Sequence, residues 1–198
     1  MSTIEASKIV FLQTRIARFE DQRAYKELFI ILYPSLFSLV YGIVKSKPVA
    51  EETISDVFIK IWEKRKELDL IVNLKVYCFV SAKNLSFNYL EKQKRFTTLN
   101  IEDFADTLTG LYPDPQQLMI TSEMLERISK SVDALPARCK MIFVLIKQNG
   151  FKYGEVAEIM KLSVKTVENQ LAIALKKISA SINFDLSRSL RVHLGTGN

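Results

Sequence analysis

Cysteine is scarce: only Cys78 and Cys139 occur in 198 residues. Neither belongs to a Cys-x-x-Cys pair or has a histidine nearby, which argues against a disulfide framework or a zinc site. Histidine is scarcer still, with His193 alone near the end of the chain. No Gly-rich phosphate loop and no His/Cys constellation is present, so neither an enzyme nor a metal or other cofactor is expected. Six glycines and five prolines are too few for a collagen-like or low-complexity chain. No window approaches eighteen uninterrupted apolar residues, so no membrane insertion is expected. The first twenty residues also lack the apolar stretch of a signal peptide, and a reducing cytoplasm is the expected location.

What is present is a foldable, basic chain: 48% hydrophobic residues, 25% charged residues and a net charge of +6. The charge is unevenly spread. By block it is +3 over 1–49, −2 over 50–71, +4 over 72–95, −5 over 96–134, +5 over 135–180 and +1 over 181–198. Two basic blocks thus flank an acidic one, a pattern that suits a polyanionic partner touched at two places. The acidic block also holds Thr109-Gly110 and Pro113-Asp114-Pro115, residues that end helices and start turns. Residues 96–117 therefore read as a flexible linker between two small domains, 1–95 and 118–180, with 181–198 as a tail.

On both sides of the linker apolar residues recur at helical spacing. Ile54, Val57, Phe58, Ile61 and Trp62 form one buried stripe. Tyr77, Val80, Leu85, Tyr89 and Leu90 form a second, and Leu125, Ile128 and Val132 a third. The expected fold is all-α, with helices near 21–45, 49–66, 73–95, 117–133, 136–148, 152–160 and 164–180.

The sharpest local signal lies at 153–178. A short helix with Val156, Ala157 and Met160 meets a Lys161-Leu162 turn, and Ser163 stands at an N-cap position. A second helix follows with Val164, Val167, Leu171, Leu175 and Ile178 on its apolar face. This is the pattern of a helix-turn-helix, whose second helix fits the DNA major groove. The turn departs from the usual pattern in having Lys161 where glycine normally adopts a left-handed backbone, at a cost of roughly 1 kcal/mol. On the polar face Asn169 and Gln170 can pair with adenine, Lys165 can reach guanine or phosphate, and the Thr166 methyl can meet thymine. Glu168 either accepts from a cytosine amine or keeps the helix soluble. The amides at the helix start are open to a phosphate.

Extended outward, Leu135-Pro136-x-Arg138, Asn149-Gly150-Phe151-x-Tyr153-x-Glu155-Val156-Ala157 and Lys165-Thr166-Val167-Glu168 together resemble region 4 of sigma-70 family RNA polymerase sigma factors, notably the short extracytoplasmic function group. Ala50-Glu51-Glu52-Thr53-Ile54-Ser55-Asp56-Val57-Phe58-Ile59-Lys60-Ile61-Trp62 and the stretch from Leu74 to Leu90 are similar to region 2. The resemblance covers about residues 20–180. It implies a factor that binds core polymerase through its β′ and β subunits and directs promoter-specific initiation, with an anti-sigma factor as a further partner. Glu52, Asp56, Phe58, Lys60 and Trp62 are then the candidates for polymerase docking. Arg138, Ser163, Lys165, Thr166, Glu168, Asn169 and Gln170 are those for a duplex −35 element.

Holding an opened −10 strand requires ring walls, amides for base edges and cations for the backbone. The implied set is Tyr77, Lys83, Asn84, Asn88, Lys92, Lys94 and Arg95, with Phe79, Tyr89 and Lys75 beside them. The family often has arginine at Lys83 and aspartate at Asn88, so the −10 preference of this chain is its own. Two other readings compete: a helix-turn-helix regulator acting without polymerase, and a helical enzyme or scaffold.

Overall fold

The computed structural model describes residues 3–94 and 122–194, with side chains placed for 5–93 and 128–180. The 96–117 segment therefore lies outside the described residues. The helices are α1 (Thr3–Phe19), α2 (Gln22–Val44), α3 (Lys47–Glu63), α4 (Leu74–Lys94), α5 (Ser122–Asp133), α6 (Ala137–Lys147), α7 (Tyr153–Met160) and α8 (Val164–Leu194), with a 3-10 segment, Arg65–Leu70, between α3 and α4. No strand occurs among the described residues.

The first four helices pack as one bundle. Asp21 caps α2 by accepting from the amides of Arg23 (2.9 Å) and Ala24 (3.1 Å), which satisfies two of the donors a helix start leaves unpaired. From there Leu28, Leu32, Leu36, Val40 and Ile43 form a continuous buried stripe. Although α2 is long and apolar enough to span a membrane, half of that stretch is buried against its neighbours; it is the core helix of the bundle. In α3, Ile54, Val57, Phe58 and Ile61 are buried as their spacing predicts. For α4 the expected stripe is displaced. Tyr77, Val80, Leu85, Tyr89 and Leu90 are only half-buried, while Leu74, Val76, Cys78, Phe79 and Ala82 form the core. The reason is that α4 is packed on several sides, by α1, α2, α3 and α7, so no single face dominates its sequence.

Two elements are additional to the sequence reading. Helix α1 buries Ile9, Leu12 and Ile16, and the Gln13 side-chain amide donates to the carbonyls of Leu68 (2.6 Å) and Ile71 (2.7 Å), tying α1 to the 3-10 segment. Helix α8 does not stop at 180 but runs on through the expected tail to Leu194.

In the second unit α5, α6 and α7 each pack on α8. Val132, Leu135, Cys139, Ala174 and Ile178 form one small cluster. Val167 and Leu171 lie with Val156, Ala157 and Ile159 in a core continuous with that of the bundle. Val164 and Leu175 are corrected from the expected apolar face: they are 45% and 43% exposed. Ala174, fully buried, takes the place beside Leu171, because a small side chain lets the neighbouring helices approach closely.

Candidate nucleic-acid interface

The helix-turn-helix is built as its sequence requires. Lys161 adopts φ 54° and ψ 50°, the left-handed conformation that ends a helix in a Schellman motif. The Leu162 amide donates to the Ala157 carbonyl at 2.9 Å and the Lys161 amide to the Glu158 carbonyl at 3.2 Å. Two residues later Ser163 caps α8, its hydroxyl oxygen accepting from the Thr166 amide at 3.1 Å. The Ser163 and Thr166 hydroxyls also share a 2.8 Å hydrogen bond.

Along α8, Lys165 and Asn169 are exposed one turn apart and Thr166 and Glu168 are half-exposed. Lys165 lies 3.6 Å from Glu168 with 79% of its side chain open, a surface pair too weak to hold it from a phosphate. Gln170 differs. Its Oε1 accepts from the Cys139 thiol at 2.9 Å, which fixes that oxygen against α6. Burial pushes the Cys139 thiol up, partly offset by Lys177 and Arg138. Arg138 itself is exposed at the start of α6.

In the bundle, Glu52, Asp56 and Lys60 are exposed at successive turns of α3, while Phe58 is 2% exposed and supports that surface from beneath. Its ring meets Phe29 at 4.7 Å and Tyr25 at 6.0 Å, and its carbonyl accepts from the Tyr25 hydroxyl at 2.8 Å. Trp62 is half-buried, held between the Tyr25 ring at 4.9 Å and the Arg65 guanidinium at 4.9 Å. One feature escaped the sequence reading: Tyr25, Phe29, Tyr33, Phe37 and Tyr41 form a ladder along α2, with successive ring centroids from Phe29 onward 5.1, 5.9 and 5.7 Å apart. Its strict four-residue spacing was the signal that would have found it.

The candidates on α4 divide between two faces. Tyr77, Asn84, Asn88 and Lys92 follow one outward stripe. There Asn88 and Lys92 line a groove of about 460 Å³ together with Leu85 and Tyr89 of α4 and Glu52 and Asp56 of α3, so residues expected in polymerase docking and in strand capture share one concavity. Lys83 lies elsewhere, 6% exposed, its ammonium held below the usual lysine range by burial and by the charge of Lys161. With it on that second stripe are Lys75 and Phe79, also buried. The Lys94 side chain and Arg95 lie outside the described residues.

A family model described as Sigma-70 region 2 matches residues 28–96, and one described as Sigma-70, region 4 matches residues 125–178. The ECF RNA polymerase sigma-E factor of Escherichia coli is 24% identical over 169 residues, covering 82% of this chain and 88% of that protein. The ECF RNA polymerase sigma factor SigW of Bacillus subtilis is 20% identical over 158 residues, covering 76% and 84%. Among solved structures, the sigma factor RpoE in complex with the anti-sigma factor NepR from Bartonella quintana is similar with a TM-score of 0.57 at 20% identity, covering 81% of this chain and 98% of that one. CnrH in complex with the cytosolic domain of CnrY gives 0.56 at 18% identity, covering 90% and 99%.

Proposed function

The chain belongs to the sigma-70 family, as a sigma factor of the extracytoplasmic function group that directs transcription initiation, and on that premise we propose how its surfaces divide the work. Residues 1–95 form the unit that docks on core polymerase and holds the opened −10 strand. Residues 118–180 form the unit that reads the −35 duplex, and 96–117 connect them. The single observation that carries this division is the pairing of an exposed recognition helix, led by Lys165 and Asn169, with a separate groove in which Asn88 and Lys92 adjoin the acidic strip of α3.

Polymerase docking falls to Glu52, Asp56 and Lys60 with Trp62 at the edge, against the β′ subunit. The region 4 unit meets the β subunit. In the −10 site, Asn84 and Asn88 supply amides for a base edge, Tyr77 a ring, and Lys92 a backbone cation. In the −35 site, Lys165 and Asn169 read bases while Arg138, Ser163 and Thr166 contact phosphates. Phosphate contacts set register and base contacts set sequence. The Cys139 hydrogen bond turns the Gln170 oxygen toward α6, which leaves its NH₂ group as the part proposed to meet DNA. An anti-sigma factor covering both units is the proposed negative partner, supported by the similar solved complex of RpoE with the anti-sigma factor NepR. The proposed location, where polymerase and promoter DNA are met, is the cytoplasm.

The test is reconstitution. The chain is mixed with core polymerase and a random promoter library, and bound sequences are selected. Expected is holoenzyme that enriches two elements, with Asn169→Ala relaxing one −35 position at a cost of about 1–3 kcal/mol. Failure to assemble with core polymerase, with tight duplex binding by the free chain, would overturn this in favour of a regulator acting alone.

A further inference from the structure

Gln170 borders the buried face of the recognition helix. It lies one turn before Ala174, which is fully buried and shares a small apolar cluster with Cys139 of α6. Cys139 is itself 4% exposed, and its thiol donates to Gln170 Oε1 at 2.9 Å. A thiol is a weak donor, but among apolar neighbours a hydrogen bond is stronger than in water. Burial pushes the Cys139 thiol up, so the proton that makes this bond is in place at neutral pH. The outward end of the Gln170 side chain is then its NH₂ group. A glutamine carboxamide on a free surface turns about a broad, roughly two-fold torsion and offers either end. The reverse orientation would set two N–H donors against a sulfur, which is a weak acceptor, and leave the thiol proton without this partner.

We infer that Cys139 is a positioning residue for promoter reading: by holding the Gln170 oxygen against α6 it makes Gln170 a donor-only reader. Gln170 is then selective for a −35 base that carries an oxo group, guanine or thymine, over one that carries an amine, adenine or cytosine. The inference rests on the sigma-factor reading and names a specificity determinant of its −35 site. The chemistry is that of the major groove. Guanine presents N7 and O6 acceptors there and thymine its O4, whereas adenine and cytosine each place an exocyclic amine. Bidentate pairing of a glutamine with adenine needs the amide nitrogen on N7 and the amide oxygen on the N6 amine. The second contact is lost when Oε1 accepts from Cys139, so the adenine pairing that the residue type allows is not the one Gln170 makes. Cytosine offers only its amine, and an NH₂ group has nothing there to donate to. Asn169, exposed at the preceding position, is the residue left for an adenine.

The test uses the full chain with core polymerase and a promoter library randomised over the −35 element. Gln170→Ala identifies the position that Gln170 reads, as the one whose preference it flattens. The wild type should enrich guanine or thymine there. Cys139→Ala frees the oxygen and should raise adenine and cytosine relative to guanine and thymine about 2- to 12-fold, the ratio for one hydrogen bond gained. Cys139→Ser keeps an O–H donor and should give the wild-type profile. A packing defect lowers binding on all sequences and does not exchange one base class for another. Gln170→Glu makes the same test without touching the core, because a carboxylate only accepts and should favour cytosine. The inference is overturned by a wild type that enriches adenine or cytosine at this position, by a Cys139→Ala profile identical to that of the wild type, by a Gln170→Glu profile that still favours guanine or thymine, or by a Gln170→Ala profile with no position flattened. A wild-type chain that assembles no holoenzyme and enriches no −35 element would overturn the sigma reading instead, so the two failures are distinguishable.

Discussion

Lys161 offers a clean measurement of backbone strain at the heart of the DNA-reading motif. It is a non-glycine residue at φ 54° and ψ 50°, where a Cβ costs roughly 1–2 kcal/mol. Lys161→Gly removes that cost but gives the unfolded chain more freedom, a loss of about 0.4–1 kcal/mol. The net expectation is a gain of about 0.5–1 kcal/mol, equivalent to a rise in melting temperature of about 1–4 °C for a chain of this size. Removing the side chain also removes a charge that acts on Lys83, so Lys161→Ala is the necessary companion: it deletes the charge and keeps the strained conformation. Urea unfolding followed by circular dichroism at 222 nm compares the three. The Gly-minus-Ala difference isolates the backbone contribution and should be positive, with Lys161→Asn falling between, since asparagine tolerates this region better than most residues. Equal stability of the Gly and Ala chains would refute the left-handed assignment and, with it, the Schellman geometry that positions α8.

Three further outcomes follow from buried and capped groups. Lys140 is fully buried and its ammonium lies 2.8 Å from Asp133 Oδ1, so Asp133→Asn should cost about 3 kcal/mol in urea unfolding and loosen α5 from α6. Burial pushes the Cys78 thiol up to about 12; iodoacetamide at pH 8.5 should leave it unmodified in the folded chain and label it in urea, as read by mass spectrometry. The Arg15 guanidinium and the capped amides hold the Asp21 carboxyl below its ordinary value. Its stabilising effect is therefore present above the ordinary carboxylate range and lost as pH falls through the depressed value. Asp21→Asn should melt lower than the wild type at pH 7, and the gap should close toward pH 3.

Where one local rule dominated, the sequence was enough to locate structure. The Ile54, Val57, Phe58, Ile61 stripe, the Ser163 cap and the left-handed turn at Lys161 each follow from a single spacing or a single backbone requirement, and each is present. Helix α4 resisted because its surroundings are not one-sided: with neighbours on several faces, polar Lys75, Lys83 and Ser86 are buried among apolar residues, and periodicity no longer marks the core. Helix α1 was legible but passed over, since Ile9, Leu12 and Ile16 recur at i, i+3 and i+7 and are all buried; only the Gln13 hydrogen bonds to carbonyls 55 and 58 residues away lay beyond any local pattern. Among candidate site residues, the exposed set on α3 and α8 was legible as polar helix faces. The burial of Lys83 and the engagement of Gln170 by Cys139 were not, because each depends on a helix brought in from elsewhere in the chain.

The charge pattern takes on a different meaning once the packing of α7 on α4 is in view. The blocks carrying +4 and +5 pack against each other, and two like-charged stretches do not associate by Coulomb attraction. What offsets the repulsion is local. Glu5 pairs with Lys75, Glu155 accepts from Asn73, and two buried aromatic rings supply apolar contact, each such ring contributing about 1.5–3 kcal/mol on burial. Lys83 and Lys161 remain as like charges in proximity, and burial already disfavours the charged form of Lys83. Lys161 is exposed and open to a phosphate as it stands, whereas Lys83 is buried.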